Sequence, residues 1–270
     1  QFVHEHRFEF SVQKMCKALK VSRSGYYEWL KRPESERDRR RKVITRRIYQ
    51  IYVKSRRLYG SPKITQALHK EGVRVSQKTV ARIMREQGLK SRTVRKYKAT
   101  TNSKHNYPVH ENVLNQTFVA QRPGQVWMAD ITYVPTAEGW LYVASLMDLY
   151  TRKIVGWHAD SRMTKELVMR ALEQAYQRQR PDGPVLHHSD RGSQYASHEY
   201  QARLKSYGMI CSMSRKGNCY DNACIESFHS VIKRELVYLE KFETREQAKK
   251  RIFEYIESWY NGERIHSSIG

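Results

Sequence analysis

Apolar positions in residues 1–34 repeat at a helical interval and predict two short helices. The first repeat consists of Val12, Met15, Cys16 and Leu19. A VSRS turn follows, in which Ser22 is placed to cap a second helix. Two helices joined in this way are typical of a helix-turn-helix, although a plain helical hairpin has the same pattern. In a helix-turn-helix the second helix enters the major groove of DNA, here with Arg23 and Ser24 at its leading end.

Residues 35–90 repeat this design. A charged helix with an apolar stripe is predicted for residues 35–56, and signals for two more helices come after it. Ser61 begins the first of these helices, Gly72 ends it, and Ser76 caps the next. Three basic side chains share one face of the last helix: Lys78, Arg82 and Arg85. We therefore predict a second helix-turn-helix DNA-binding region.

From Gly124 onward the pattern changes to β-rich segments. Three of them, QVWMADITYVPT, GWLYVASLMDLY and KIVGWHAD, are separated by short turns and predict an antiparallel meander. They are followed by a helix over residues 164–179, a strand in PVLHHSD, a helix over 197–207, a strand in GMICSMS and a long helical segment. This order predicts an α/β fold in which a mixed sheet is covered by helices on both faces.

A linker is predicted between the helical and the β-rich parts. Residues 91–122 are rich in Lys, Thr, Asn and Ser and show little periodicity, so we expect a basic linker able to follow DNA phosphates. The predicted domains are therefore a helix-turn-helix in residues 1–34, a second DNA-binding region in residues 35–90, this linker, and an α/β domain in residues 123–270.

The uneven distribution of charge supports nucleic acid as the partner. The chain has 50 Lys and Arg residues against 27 Asp and Glu, a formal net charge of +23. Residues 1–122 hold 30 of the basic and 9 of the acidic residues. Such a basic segment attracts a phosphate backbone, because each neutralised phosphate releases counterions. A solvated basic surface and a contact with an anionic membrane are the alternatives.

Composition argues against several other classes of protein. The longest apolar run, LYVASLM at residues 141–147, is too short to span a bilayer, and no signal peptide is recognisable. The 4 cysteines include no CxxC pair, which argues against a disulfide framework and for reduced thiols. We therefore expect a cytoplasmic protein.

Three acids stand out as candidates for chemistry. Asp130 lies in VWMADITY between apolar and aromatic residues, and Asp190 ends the strand in HHSDRGSQY. An ionised carboxylate in such surroundings needs an ion pair or a metal ion. The third acid is predicted on a helix, in a polar stripe that borders the core: Asn222, Glu226, His229 and Lys233. Asp221, at the start of that helix, is explained by N-capping.

Carboxylates on two neighbouring strand ends and one facing helix can hold two divalent cations. Mg²⁺ suits them, because it takes few carboxylates and completes its shell with water and phosphate. Two such ions promote in-line phosphoryl transfer without a protein nucleophile. A zinc site of Cys219, Cys224 and His229 is the alternative, but this spacing is unusual for zinc. We expect the cysteines to be buried thiols and His229 to lie in the polar stripe or near DNA.

Spacing and motifs together resemble a known family. There are 59 residues between Asp130 and Asp190 and 35 between Asp190 and Glu226, within the motifs WMADITY, HSDRGSQY and YDNACIES. With Lys233 seven residues after the glutamate, the chain resembles the DDE transposases and retroviral integrases. VSRSGYYEWLKR and YGSPKITQALHKEGVRVSQKTVARIMR also resemble the second-reading-frame transposases of bacterial insertion sequences.

This resemblance implies a ribonuclease-H-like core with enzymatic activity. Asp130, Asp190 and Glu226 are the expected catalytic metal ligands, with Mg²⁺ as cofactor and Mn²⁺ able to substitute. Lys233 is expected at the bound DNA end. The implied reaction is nicking at the 3′ ends of the element's terminal inverted repeats, followed by strand transfer. The implied location is the nucleoid in a bacterial cytoplasm.

The resemblance also implies partners. These are double-stranded DNA, from the element's ends and from the target, and other copies of the chain in a homo-oligomer. A membrane is not expected among them. We expect that an upstream-frame fusion partner is absent here, and that the C-terminus is truncated, because the family's tail motif YNGERIHSSIG occupies residues 260–270. A non-catalytic repressor of the element's ends and a ribonuclease-H-type nuclease are the alternatives. A repressor would have no use for three acids that repel phosphate.

Overall fold

The computed structural model of the chain describes residues 1–93, 108–216 and 218–266. They divide into two compact units. We call the first the helical unit, which comprises Gln1–Lys54 and Ile64–Leu89. The second, the sheet unit, comprises Ser55–Lys63 and Lys90–Gly270. The sheet unit thus includes a short stretch of the region that the sequence assigns to the second helix-turn-helix.

The first ninety residues form six helices, and all but the first lie where the sequence pattern predicts helices. They are α1 (Phe2–Glu5), α2 (Val12–Ala18), α3 (Arg23–Lys31), α4 (Glu36–Lys54), α5 (Ser61–Lys70) and α6 (Gln77–Glu86). Ser22 caps α3 by accepting a hydrogen bond from Gly25 N at 3.3 Å, and Ser76 caps α6 by accepting one from Thr79 N at 3.2 Å. Gly72 follows α5 with a φ of +79°, a left-handed conformation that glycine adopts without steric cost.

A mixed sheet forms the centre of the sheet unit. Its strands are β1 (Val126–Thr136), β2 (Gly139–Asp148), β3 (Ile154–Asp160), β4 (Leu186–Ser189) and β5 (Ile210–Met213). Their order is β3-β2-β1-β4-β5. The meander β1-β2-β3 is antiparallel, whereas β4 is parallel to both β1 and β5. This is the predicted ribonuclease-H-like sheet.

Helices cover both faces of this sheet. On one face, α7 (Lys165–Gln179), α8 (Ser193–Ala196) and α9 (His198–Ser206) bury an apolar core that includes Trp127 and Ala129 of β1. Because side chains alternate along a strand, Asp130 points to the other face. That face carries α10 (Ala223–Ile232), which continues as a π-helical segment, Lys233–Val237. The C-terminal helix α11 (Arg245–Phe253) likewise continues as a π-helical segment, Glu254–Glu263.

The last part of the predicted linker packs against the sheet. Residues 94–107, where the linker was expected to follow phosphates, lie outside the described residues. After them, Leu114 is buried, and its N–H donates to Ser212 Oγ of β5 at 3.2 Å. The N–H of Met213 donates to the carbonyl of Glu111 at 3.4 Å. An apolar side chain and edge hydrogen bonds therefore attach this stretch to β5.

No helix in the described ranges is both long and apolar enough to cross a bilayer.

Candidate active site

Asp130 and Asp190 lie side by side where the parallel pairing of β1 with β4 ends. The last paired residues of β1 and β4 are Ala129 and Ser189, and each aspartate follows directly. Neighbouring strands are about 4.8 Å apart. The aspartates are therefore close, although 59 residues separate them in the sequence.

His229 of α10 holds the Asp130 carboxylate. Its Nδ1 is 3.2 Å from Asp130 Oδ2, and its Nε2 is 3.4 Å from Ser145 Oγ. The histidine is only 6% exposed. His229 thus lies on the predicted polar stripe with Asn222 and Glu226, and this stripe faces β1, while a position of His229 near DNA stays a prediction. Helical spacing alone showed no preference between a solvated stripe and this contact.

Glu226 faces the same place from α10. Asn222 at the start of the helix donates from Nδ2 to the carbonyl of Ala129 at 3.3 Å, and His229 contacts Asp130 one turn after Glu226. Residues three and four apart share a helix face, so Glu226 lies between these two attachments to β1. Partial burial raises the pKa of Glu226, and the nearby Asp130 carboxylate raises it further.

The loop after β4 orients the carboxylate of Asp190. Its Oδ1 accepts a hydrogen bond from Gly192 N at 2.9 Å. Tyr195 lies below this turn, 1% exposed, and among the described residues its hydroxyl has no hydrogen-bond partner. Burial raises the pKa of Tyr195 well above its usual value, and the charges of Asp130 and Asp190 contribute to this rise. The tyrosine was not among the predicted site residues, although it stands five positions after Asp190 in the motif HSDRGSQY.

The donor chemistry of this site fits a hard divalent cation. The Asp130 carboxylate raises the pKa of Glu226 because the two negative charges repel, and a cation between them relieves the repulsion. Oxygen ligands are also those that Mg²⁺ prefers. Across the described residues, no group of three His, Cys, Asp or Glu side chains is arranged so that it could hold a metal ion. The fit therefore rests on the oxygen donors and their mutual repulsion.

The structure offers no support for the zinc alternative. The Nδ1 atom of His229 is occupied by Asp130, and Cys224 is a partly buried free thiol. The side chain of Cys219 lies outside the described part of the chain.

Asp221 is not a helix cap, contrary to the sequence prediction. It lies in a 3₁₀ turn, Cys219–Asn222, and is fully buried. Its Oδ2 accepts from the backbone N–H of Arg215 at 2.8 Å and from Asn112 Nδ2 at 2.9 Å. Its Oδ1 accepts from Arg215 Nη2 and Gln116 Nε2, both at 2.8 Å. The carboxylate is directed at these donors instead of at the first turn of α10.

Comparison with known proteins identifies the family. The chain matches the model described as "Integrase core domain" over residues 120–219 and a second model of that description over residues 207–270. It matches "HTH-like domain" over residues 38–97. Transposase InsF for insertion sequence IS3A from Escherichia coli (strain K12) is 42% identical over 271 residues, which cover 100% of this chain and 94% of InsF. The chain belongs to the insertion-sequence transposase family.

Other proteins similar to this transposase include a 31 kDa protein of insertion element IS600 from Shigella sonnei. It is 45% identical over 256 residues, 95% of this chain and 94% of that protein. Among solved structures, a simian T-cell lymphotropic virus intasome chain has a TM-score of 0.45 and 15% identity, with 78% of this chain and 69% of that chain covered. The HTLV-2 integrase catalytic core domain, solved in complex with magnesium, has a TM-score of 0.40 and 16% identity, with 50% and 87% covered.

The predicted DNA-contacting residues of the transposase lie in both units. Five are exposed on helices α3 and α6: Arg23, Ser24, Lys78, Arg82 and Arg85. The sixth, Lys233, is on the sheet unit, with its Nζ 4.5 Å from the ring centroid of Tyr133. Burial lowers the pKa of Lys233, while Tyr133 and Asp130 oppose the shift. Lys233 is thus the predicted DNA contact that lies beside the acids.

Proposed function

We propose that this transposase cleaves the 3′ ends of its insertion sequence and transfers the strands to another phosphodiester. The convergence of Asp130 within β1, Asp190 directly after β4 and Glu226 on α10 supports this proposal. These residues would hold Mg²⁺, or Mn²⁺ in its place. When bound, two such ions supply Lewis acidity at the attacking and leaving oxygens.

The remaining groups of the site orient a metal ligand and bind the DNA. His229 holds the Asp130 carboxylate in one orientation by its hydrogen bond. Lys233 would bind a phosphate at the DNA end, because its ammonium group lies near Asp130. The surrounding apolar core keeps the strand ends rigid, and rigid ligands keep the reacting groups in a productive geometry.

In this proposal the helical unit recognises the terminal inverted repeats. α3, with Arg23 and Ser24, and α6, with Lys78, Arg82 and Arg85, present exposed basic or polar side chains to the major groove. Since an element has two ends, we propose that at least two copies of the chain assemble on DNA.

A strand-transfer assay tests the proposal. A duplex that carries the element's end is incubated with Mg²⁺ and either the wild type or the Asp190→Asn variant. We expect activity to fall about a hundredfold or more, because metal-assisted stabilisation of the transition state is worth several kcal/mol. Asp182→Asn is the matched control, since Asp182 is exposed in the loop before β4. Equal activity of Asp190→Asn and the control would refute the mechanism.

Calorimetry with Mn²⁺ separates this function from that of a repressor. The wild-type transposase should bind Mn²⁺, and the Asp190→Asn variant should bind it more weakly. Binding of the end duplex without any carboxylate-dependent uptake of Mn²⁺ would favour the repressor.

A further inference from the structure

The segment Ser55–Lys63, which we call the strap, is anchored to the C-terminal helix of the sheet unit. The hydroxyl of Tyr59 accepts a hydrogen bond from the N–H of Ile265 at 2.7 Å, and the rings of Tyr59 and Trp259 have centroids 5.6 Å apart. Leu58 and Tyr59 are both buried. Ser91 Oγ donates to the carbonyl of Leu58 at 2.7 Å. The basic side chains of the strap therefore start from a fixed backbone.

Two of these side chains lie on aromatic rings. The guanidinium carbon of Arg56 is 5.7 Å from the centroid of the Trp259 ring. The Nζ of Lys63 is 5.1 Å from the centroid of the Tyr59 ring. Arg234 and Arg264 are close enough to Lys63 for their charges to disfavour its protonated form. Lys63, Arg234 and Arg264 therefore lie close together in the sheet unit.

The acid at their centre, Glu235, is already saturated with donors. Arg264 Nη2 donates to its Oε1 at 2.9 Å and Arg264 Nε to its Oε2 at 3.1 Å. The hydroxyl of Tyr255 donates to Oε2 at 2.8 Å and Trp259 Nε1 at 3.3 Å. A carboxylate accepts about four hydrogen bonds, and this one is only 7% exposed. Glu235 therefore neutralises Arg264 and has no acceptor site left for Lys63 or Arg234.

Lys63 and Arg234 form no ion pair within the described residues. Burial lowers the pKa of Lys63 to about 8, with Arg264 and Arg234 lowering it and Glu235 raising it. A partly desolvated ammonium among other cations is stabilised when an anion binds next to it. The cluster is consequently suited to an anionic ligand.

We propose that Lys63 and Arg234 bind a backbone phosphate of the DNA that the transposase processes. Arg234 directly follows Lys233, the residue beside the acids, on one π-helical segment. A phosphate bound here would belong to DNA that passes the active site along this segment. Guanidinium and ammonium groups are the usual phosphate ligands. The proposal rests on the proposed function, since it assumes that DNA is the substrate.

Duplex binding measured against salt concentration tests this site. In Lys63→Gln or Arg234→Gln, the slope of log affinity against log salt should become shallower by about one counterion. That loss corresponds to roughly fivefold weaker binding at 150 mM salt. Lys205→Gln is the matched control, because Lys205 is exposed on α9, on the opposite face of the sheet.

The pH dependence of binding gives a second readout. Bound phosphate favours the charged form of Lys63, so affinity should fall up to about fivefold as pH rises from 7 to 9.5. Lys63→Arg should bind as tightly and lose this dependence. Other groups that face Lys63 do not titrate in this range: the pKa of Tyr59 is raised above 10.0, that of His266 is lowered below 6.5, that of Glu235 is lowered and that of Arg264 is raised.

Two results would overturn the proposal. One is that Lys63→Gln and Arg234→Gln bind the duplex with the slope of Lys205→Gln. The other is that inorganic phosphate raises the melting temperature of the wild type but not of Lys63→Gln, while duplex binding is equal; the site would then serve free phosphate. Failure of the wild type to bind an end duplex at all would instead refute the proposed function.

Discussion

The Asp221 carboxylate orders the approach to α10. It joins Asn112 and Gln116, which lie in the last part of the predicted linker, to Arg215 in the loop after β5. The next residue, Asn222, then donates to the carbonyl beside Asp130. One buried acid thus connects three segments with the position of Glu226, and does so without touching the proposed metal ligands.

We expect Asp221→Ala to lower the free energy of unfolding by about 2–4 kcal/mol. The substitution removes the acceptor of several hydrogen bonds and leaves buried donors unpaired. Chemical denaturation followed by circular dichroism measures the change. The exposed Asp182→Ala should differ little from the wild type, and an equally stable Asp221→Ala would contradict the assigned role.

The same residue predicts how stability depends on pH. The Arg215 guanidinium holds the pKa of Asp221 well below its usual value of 3.8. Because this pKa is lower in the folded than in the unfolded state, the contribution of the Asp221 carboxylate to the free energy of unfolding is fully present at neutral pH. It is lost as pH falls below about 4, where the unfolded chain takes up the proton first. The stability of Asp221→Ala should therefore fall less steeply over this acidic range than that of the wild type.

At the scale of elements, helical periodicity predicted the buried face of α10 correctly. Ile225, Phe228, Ile232 and Leu236 repeat every three or four residues, and all four are buried. On the other face of the sheet, α7 approaches the backbone of β3 closely, and periodicity does not reveal this contact. A Cβ atom on Gly156 of β3 would lie 2.3 Å from the carbonyl oxygen of Ala171 and 2.6 Å from Cβ of Ala175, both in α7.

Gly156→Ala should therefore separate α7 from β3 and destabilise the sheet unit by about 3 kcal/mol, a typical cost of overpacking. Thermal unfolding of the full chain measures the effect. The control is Gly183→Ala, whose added Cβ would meet only the flexible Arg122 side chain, at 3.3 Å. Comparable melting temperatures for the two variants would show that α7 adjusts without cost.

At the scale of the whole molecule, most of the excess positive charge lies apart in the sequence from the proposed metal ligands. Residues 1–122 carry 30 basic residues against 9 acidic ones, whereas the proposed acids all follow this segment. Removing divalent ions with a chelator should abolish strand transfer and leave duplex binding intact. Electrophoretic mobility shifts and strand-transfer assays on the same samples measure both. Loss of duplex binding with the metal would show that the acids also hold the DNA.

Most elements, and the chemical character of each part, could be predicted from local sequence patterns. Apolar periods, caps and turn residues are local, and they predicted the strands, most helix starts and the basic helical half. The three acids could be selected because an unpaired carboxylate among apolar residues is costly, and because their spacing resembles a known family. Domain boundaries and roles of single DNA-contacting residues remain predictions.

Which side chains contact one another depends on the three-dimensional arrangement of the elements and could not be predicted from the sequence. β4 lies beside β1 across a long connection, so Asp130 and Asp190 become neighbours. His229 contacts Asp130, Asp221 accepts from Asn112, and Tyr59 from the strap contacts Ile265. Each of these pairs is separated by about a hundred residues or more. Periodicity describes neighbours within one element, whereas such contacts depend on the order of strands and on the packing of helices against them.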